Sequence, residues 1–425
     1  MTSERECFVY IVPPEETEFV TAARFRVSQT RDGDPIGELV YGKSYLERPN
    51  AVALDPIELK LGNTKFETAR MNGFFGAIRD AMPDYWGRRV IERNTNKTGL
   101  DEFDYLMLGA DDRAGALGFG LNATPPSPRR TFNQTLDLEK LQATTEAIMN
   151  NETIEAEDQV NARQVQELML DGTSMGGARP KAVVEDDNSL WVAKFSSPQD
   201  RWNNPRVEHA LLTLAISCGL QVADSKLVDV AGKDVLLVRR FDRDHTDKGY
   251  RRHRMVSALT LLRSEETPAA KSDWSYLALA DEIRRASNHP EQDLQELFAR
   301  MCFNALVSNL DDHPRNHAIL AKDTHWRLSP AYDLTPMPTI AQDNRDLAMS
   351  CGLHGRKANK ANLLSGHARF LLSEEKAASI IDHMIDVIKA EWEATLKRSG
   401  ANNSDINAIR SCFLYDGFFN PITEQ

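Results

Sequence analysis

Two carbon-oxygen side chains near residue 311 have the types and spacing for phosphate chemistry. Asp311 and Asn316 flank the segment Asp312-His-Pro-Arg315. A carboxylate there can orient a hydroxyl and accept its proton, and an amide oxygen five residues on can ligate Mg²⁺. Downstream, Leu328-Ser-Pro-Ala-Tyr-Asp333 puts a second carboxylate just after a short apolar stretch. Mg²⁺ takes hard oxygen ligands, commonly one or two carboxylates completed by phosphates. Asp and Asn are also common capping and turn residues, so this loop alone is open to either reading. His313 and His317 have the four-residue separation of a helical metal pair, but Pro314 lies between them and argues against that use.

A second set lies upstream. Asp171-Gly-Thr-Ser-Met-Gly-Gly-Ala-Arg-Pro-Lys181 is a loop of small residues. Gly172, Gly176 and Gly177 let the backbone come close to a ligand, and successive N–H groups can cradle phosphate oxygens. A strand over Lys181–Val184, a turn over Glu185–Ser189 and a strand over Leu190–Phe195 follow. Lys194 on that second strand could reach the same phosphates as a point charge. The pattern is neither GxxxxGK[ST] nor a dinucleotide fingerprint, since a strand and not a helix follows the glycines. A Gly-rich turn before a hairpin is in itself commonly structural.

The elements that must position these groups can be read as well. Asn204-Pro205 is a cap followed by proline at a helix start. Val207, Leu211, Leu214, Ala215 and Cys218 form its buried stripe, and Gly219 stops it. Glu208 in its first turn either answers the helix dipole or pairs with Lys194. Val235–Arg243 reads as a strand entering a hinge. Phe303–Asp312 reads as a helix running to the loop, stopped by Pro314. Gly loop, strand Lys, helix Glu, Asp-x4-Asn and strand-end Asp stand in the order of the protein kinases, and the order is more specific than any part. The DFG triplet is missing.

The amino-terminal 120 residues read as mixed α/β. Strands are expected over Cys7–Val12 and Ile36–Tyr41, and helices over Thr68–Arg79 and Tyr85–Arg93. The Pro-rich stretch Asn122–Arg130 is a linker, and a helix follows over Leu136–Met149. The tail from Phe418 lacks periodicity and is expected to fray.

With 425 residues, 41% hydrophobic and 27% charged, the chain is of globular composition, which excludes collagen-like and disordered classes. A net charge of −12 argues against nucleic-acid binding over the whole surface. Two local basic runs, Arg251–Arg254 and His354–Lys360, could touch phosphates. Five scattered cysteines offer no metal spacing and read as buried small hydrophobes of a cytoplasmic protein. No run is long and apolar enough to span a membrane.

On these residues the sequence resembles the HipA family of bacterial serine/threonine kinase toxins. The carrying segments are Ser174–Lys181, Val192-Ala-Lys194, Glu208, Arg240-Phe-Asp-Arg243, Asp311–Asn316 and Leu328–Asp333, with Asp80–Gly87 and Gly115–Gly118 upstream. The resemblance implies an α+β, two-lobed protein-kinase-like fold with an N-terminal α/β subdomain and a mainly helical C-terminal lobe. The expected divisions are 1–125, 126–245 with the Gly loop and hinge, and 246–425 with the catalytic loop. It implies ATP and Mg²⁺ as cofactors and Asp311 as catalytic base. Asn316 and Asp333 would hold the metal, and Lys194 the α- and β-phosphates, supported by Glu208. The nucleotide set would be Ser174, Met175, Gly176, Gly177, Ala178, Lys181, Lys194, Arg239, Arg240, Phe241, His313, Asn316 and Asp333.

Ser174 matches a loop serine that the family autophosphorylates; a phosphate there would repel ATP from the cradle. Expected partners are a HipB-like helix-turn-helix antitoxin, operator DNA through that complex, and a protein substrate such as an aminoacyl-tRNA synthetase. Asp312 departs from the Gly of many relatives. Competing readings are a small-molecule kinase on the same fold and a catalytically quiet antitoxin-bound corepressor.

Overall fold

The computed structural model describes residues 5–150, 179–197 and 199–421. Two compact units emerge. One comprises 1–198, 229–256 and 320–325, and the other 199–228, 257–319 and 326–425.

The first unit opens with β1 (Arg5–Ile11), β2 (Val20–Gln29) and β3 (Pro35–Tyr41), which are antiparallel neighbours. Their alternation fixes the register, because a one-residue slip would turn the apolar row to solvent. Cys7 faces Phe25, and Phe25 faces Leu39; all three are fully buried. Helix α1 (Lys43–Leu46) and β4 (Phe66–Thr68) follow.

The expected helix over Thr68–Arg79 is replaced by β4, a 3-10 turn at Arg70–Gly73 and a short α2 (Gly76–Asp80). Met71 and Asn72 take left-handed φ values of 48° and 57°. Gly73, at φ 82°, packs its carbonyl where a side chain on Gly37 would sit. The close approach of β3 overrides helix propensity there.

Helix α3 (Tyr85–Thr95) is capped by Asp84, which accepts from Gly87 N at 2.7 Å, and ends on left-handed Asn96. Helix α4 (Glu102–Leu108), β5 (Leu117–Gly120), β6 (Asn133–Gln134) and α5 (Leu138–Met149) complete this stretch. Residues 122–132 between β5 and β6 hold no helix or strand, as the prolines require.

Next come β7 (Lys181–Asp186) and β8 (Ser189–Lys194), joined by Asp187 and Asn188 at φ 46° and 56°, the positive pair of a tight hairpin. After α6 (Asn204–Ser217), the chain passes through β9 (Ser225–Val230) to β10 (Lys233–Arg239). In the second sheet β6, β7, β8 and β10 are neighbours in that order. Val235, Leu236 and Leu237 are fully buried. A ribbon of β11 (Arg243–Thr246) and β12 (Gly249–Arg252) follows, then β13 (Arg254–Ser257).

The second unit is mainly helical. Besides α6 it holds α7 (Ala258–Leu261), α8 (Tyr276–Ala286) and α9 (Pro290–Leu306). After β14 (Ala318–Ala321) and β15 (Arg327–Leu328) come α10 (Lys360–Ser365), α11 (Glu374–Arg398) and α12 (Asn403–Ile409). The cap of α6 is Asn203, one residue before the expected Asn204. It accepts from Arg206 N at 3.1 Å, which leaves Pro205 inside the first turn. Gly219, at φ 87°, stops that helix as expected. Leu294, Leu297, Phe298, Met301 and Phe303 of α9 are fully buried. The tail is less frayed than expected, because Phe418 is fully buried.

All five cysteines are buried free thiols. Among the described residues no helix is long and apolar enough to cross a membrane.

Candidate functional site

In the first unit, Lys181 and Lys194 lie directly opposite each other on β7 and β8. Opposed residues share a sheet face, and like charges there repel. Lys181 is only 3% exposed and pairs with the Asp84 carboxylate at 2.9 Å. Trp86 Nε1 donates to the Lys181 carbonyl at 3.0 Å. One short segment, Asp84–Trp86, thus neutralises the buried ammonium and fixes its backbone. The sequence marks that segment as a family feature without assigning it to the site. Lys194 also faces Leu236 of β10 and is partly exposed.

Arg239 is exposed and Phe241 partly buried. Arg240 is different. Its guanidinium is buried and committed to protein partners: Asp112 Oδ1 at 2.5 Å, Asp242 Oδ1 and Oδ2 at 3.0 and 2.8 Å, and the Arg113 carbonyl at 2.9 Å. Arg243 shares the cluster, donating to Asp242 Oδ2 at 2.8 Å and to the Gly115 carbonyl at 2.8 Å. Burial alone would raise the Asp242 carboxyl, but Arg240 and Arg243 overcome it and hold the group well below the carboxylate range. Burial and the neighbouring Arg240 push Arg243 down. The Arg240 side chain therefore holds loop 112–115 to the end of β10.

The basic run Arg251–Arg254 is not the phosphate-binding surface its sequence suggested. Arg252 is buried and bonds Asp111 Oδ2 at 2.8 Å, and Arg254 is buried and bonds the Ala53 carbonyl at 2.8 Å. His253 faces Asp244 at 2.8 Å, and only Arg251 reaches the surface, beside Glu15. In the second run, His354 and Arg356 are exposed, while Lys360 pairs with Asp382.

In the second unit, α9 ends at Leu306 and not near Asp312 as expected. Ser308, at φ 51°, turns the chain before Pro314 can act, and Pro314 instead begins a 3-10 turn to Asn316. Asp311 is exposed. Its carbonyl accepts from His313 N at 2.7 Å and, weakly, from Asn316 Nδ2 at 3.4 Å. Asn316 is 7% exposed. The Tyr332 hydroxyl donates to the Arg315 carbonyl at 2.8 Å, which ties the segment of Asp333 to that of Asn316. Asp333 takes φ 58°, a left-handed conformation that Asp tolerates and that often marks functional positions. His313 Nδ1 is buried and finds no hydrogen-bond partner among the described residues. Glu208 is buried in the first turns of α6.

Asp312 is buried too. Its Oδ2 accepts from the Tyr276 hydroxyl and lies 2.8 Å from His317 Nε2. Nothing in the local sequence signals this, since Tyr276 lies on α8, 36 residues upstream.

Ser174, Met175, Gly176, Gly177 and Ala178 lie outside the described residues. Among the described residues no group of three or more His, Cys, Asp or Glu could hold a metal. Asp333 and Asn316 nevertheless offer the hard oxygen donors Mg²⁺ prefers, and a nucleotide's phosphates would complete such a shell.

Comparison with known proteins agrees with this architecture. Residues 25–120 match the HipA N-terminal domain and residues 173–392 the HipA-like C-terminal domain. "Putative kinase Y4mE" of Sinorhizobium fredii is 29% identical over 342 residues, covering 76% of this chain and 77% of that protein. A chain of the Shewanella oneidensis MR-1 toxin antitoxin complex of HipA, HipB and operator DNA superposes with a TM-score of 0.68. The identity is 15%, over 96% of this chain and 94% of that one. The Helicobacter pylori proinflammatory kinase CtkA, 16% identical, reaches a TM-score of only 0.36 over 53% of this chain and 92% of that one. The fold is the α+β one of the HipA proteins, with an α/β first unit and a mainly helical second.

Proposed function

Because the chain belongs to the HipA family, we propose that it is an ATP- and Mg²⁺-dependent serine/threonine protein kinase and the toxin of a toxin–antitoxin pair. The observation that carries this reading is the 311–316 loop: one exposed carboxylate, Asp311, in a chain segment otherwise largely buried, bonded through its own carbonyl to the buried Asn316 amide. An enzyme that moves a phosphoryl group needs a positioned, solvent-reachable acceptor for the hydroxyl proton.

In this reading Asp311 orients the substrate hydroxyl and takes its proton. Lys194 binds the α- and β-phosphates, supported by Glu208, and backbone groups of 175–178 and Lys181 surround the triphosphate. Arg239, Phe241 and the backbone at Arg240 belong to the adenine side, and His313 to the nucleotide set. Asn316 and Asp333 would hold Mg²⁺, which neutralises charge on the phosphates when bound. Ser174 is the autophosphorylation site, and a doubly charged phosphate there competes with ATP. The partner is a HipB-like helix-turn-helix protein, with operator DNA contacted through that complex. The complex of the Shewanella protein with HipB and operator DNA supports this part. A translation protein such as an aminoacyl-tRNA synthetase is the proposed substrate.

The test is incubation of the purified chain with γ-labelled ATP, Mg²⁺ and bacterial lysate, followed by phosphosite mass spectrometry. Label on Ser174 and on a serine or threonine of a lysate protein is expected. Asp311→Asn should lower transfer by about 10²–10⁴-fold; equal labelling in that variant rules out Asp311 as base.

A further inference from the structure

The 311–316 loop is fastened by side chains that no phosphate or metal role explains. Asp312 has a side chain only 2% exposed, as buried as a core apolar residue. Burying a carboxylate is costly unless donors meet it. Two do, on one oxygen: the Tyr276 hydroxyl from the first turn of α8, and His317 Nε2 at 2.8 Å from the far end of the loop. A carboxylate oxygen accepts hydrogen bonds, so this pairing has the imidazole donating from Nε2. The rings of Tyr276 and His317 meet edge-on, 5.3 Å apart at 75°, which holds both donors in place.

The fastening extends outward. Asn304 Nδ2 of α9 donates to the Tyr276 hydroxyl at 3.2 Å. Asn309 Nδ2 then donates to Asn304 Oδ1 at 3.1 Å. Tyr276 is itself set by Ser275, which caps α8. The Asp312–His317 contact therefore closes a six-residue ring of chain, braced on two helices. Asp311 lies immediately outside that ring and Asn316 immediately inside it.

We propose that Asp312 is a positioning residue for phosphoryl transfer. Held by Tyr276 and His317, it sets the backbone that presents Asp311 and Asn316. Asp312 does not touch substrate or nucleotide; it acts through Asp311, its neighbour in the chain, and through Asn316 at the other end of the ring. With Asp312 anchored inward, Asp311 is free to face outward, in keeping with the burial of the one and the exposure of the other. This inference rests on the kinase reading above. A loop that must hold reacting atoms closely loses rate steeply when displaced, by roughly 10²-fold for about 1 Å.

The experiment measures kcat and KM for ATP in phosphoryl transfer by wild type, Asp312→Asn, Asp312→Glu and Tyr276→Phe, with urea unfolding of each. Asp312→Asn should lower kcat by about 10- to 100-fold while KM for ATP stays within about twofold. Asp312→Glu should recover part of the loss. Tyr276→Phe removes only the hydroxyl and should lower kcat by about 3- to 10-fold, so it decides the matter if Asp312→Asn fails to fold. A folded Tyr276→Phe or Asp312→Asn chain with wild-type kcat overturns the proposal. So does a rise in KM matching the fall in kcat/KM, which would place Asp312 in nucleotide binding. Failure of the kinase reading is distinguishable, because wild type would then transfer no phosphate, and the positioning role falls with it.

Discussion

Asp242 in the first unit and Asp312 in the second are both buried carboxylates, yet their surroundings differ in kind. Asp242 is met by two guanidinium groups, those of Arg240 and Arg243, and by the Gly115 N–H at 2.9 Å. Asp312 is met by a phenol and an imidazole. The first arrangement is made of full charges whose mutual attraction offsets their desolvation only while every member is present. The second is made of directional donors, worth less in energy but more exacting in geometry. Ionic clusters therefore suit a place where two distant chain segments must stay together, here 112–115 and 240–243. Hydrogen-bonded clasps suit a loop whose backbone must be held in one shape.

The largest effect that could break this contrast is on stability. Arg240→Ala leaves Arg243 as the one guanidinium between Asp112 and Asp242 in a buried setting, and removal of one member of such a cluster typically costs about 3–5 kcal/mol. Urea unfolding should show this loss. A cost near that of an exposed pair would mean that water reaches the cluster and that the contrast with Asp312 is overdrawn.

The acid response comes next in size. The carboxyl of Asp242 lies below its ordinary value in the folded chain, and so does that of Asp111, where burial is overcome by Arg252. In the unfolded chain both recover ordinary carboxylate values of about 3.9. As pH falls, the unfolded chain takes up these protons first, so stability is full above about pH 5 and is lost as pH falls below about 4. Each tenfold weakening of proton binding by the folded chain is worth about 1.4 kcal/mol of that stability. Urea midpoints followed from pH 6 to pH 3 should fall steeply in wild type and less steeply in Asp242→Asn. Parallel curves would show that the cluster does not set the acid limit.

What was legible in the sequence follows the range of the forces. Strands β1 and β3, the hairpin at Asp187-Asn188 and the stop of α6 at Gly219 depend on neighbours a few residues away, and their patterns are local. The Asp311–Asn316 spacing could be read for the same reason. The expected helix at Thr68–Arg79 failed because Gly37, more than thirty residues upstream, meets the Gly73 carbonyl. Asp312 could be read only as an added carboxylate, since Tyr276 is 36 residues away. Arg240 looked like part of a hinge, and its partner Asp112 lies 128 residues away. Composition cannot separate such a residue from a solvent-facing cation.

The run Arg251–Arg254 turns that last point into the smallest and cleanest measurement. Four adjacent basic residues look alike in sequence, but Arg251 sits 39% exposed beside an exposed Glu15 at 2.8 Å, whereas Arg252 is 2% exposed against Asp111 and lies 4.7 Å over the Phe19 ring. An exposed pair gains little over solvated ions, about 0.2–1 kcal/mol, and salt screens it. Arg251→Ala should therefore lower the unfolding free energy read from urea titration by no more than that, and less at about 1 M salt, where screening is nearly complete. Arg252→Ala, one residue on, should cost several times as much and be less sensitive to salt, because its own guanidinium is shielded from counterions. Equal losses at the two positions would mean that burial does not decide the worth of these charges. A salt-independent loss at Arg251 would mean that its contact with Glu15 is more enclosed than its exposure indicates.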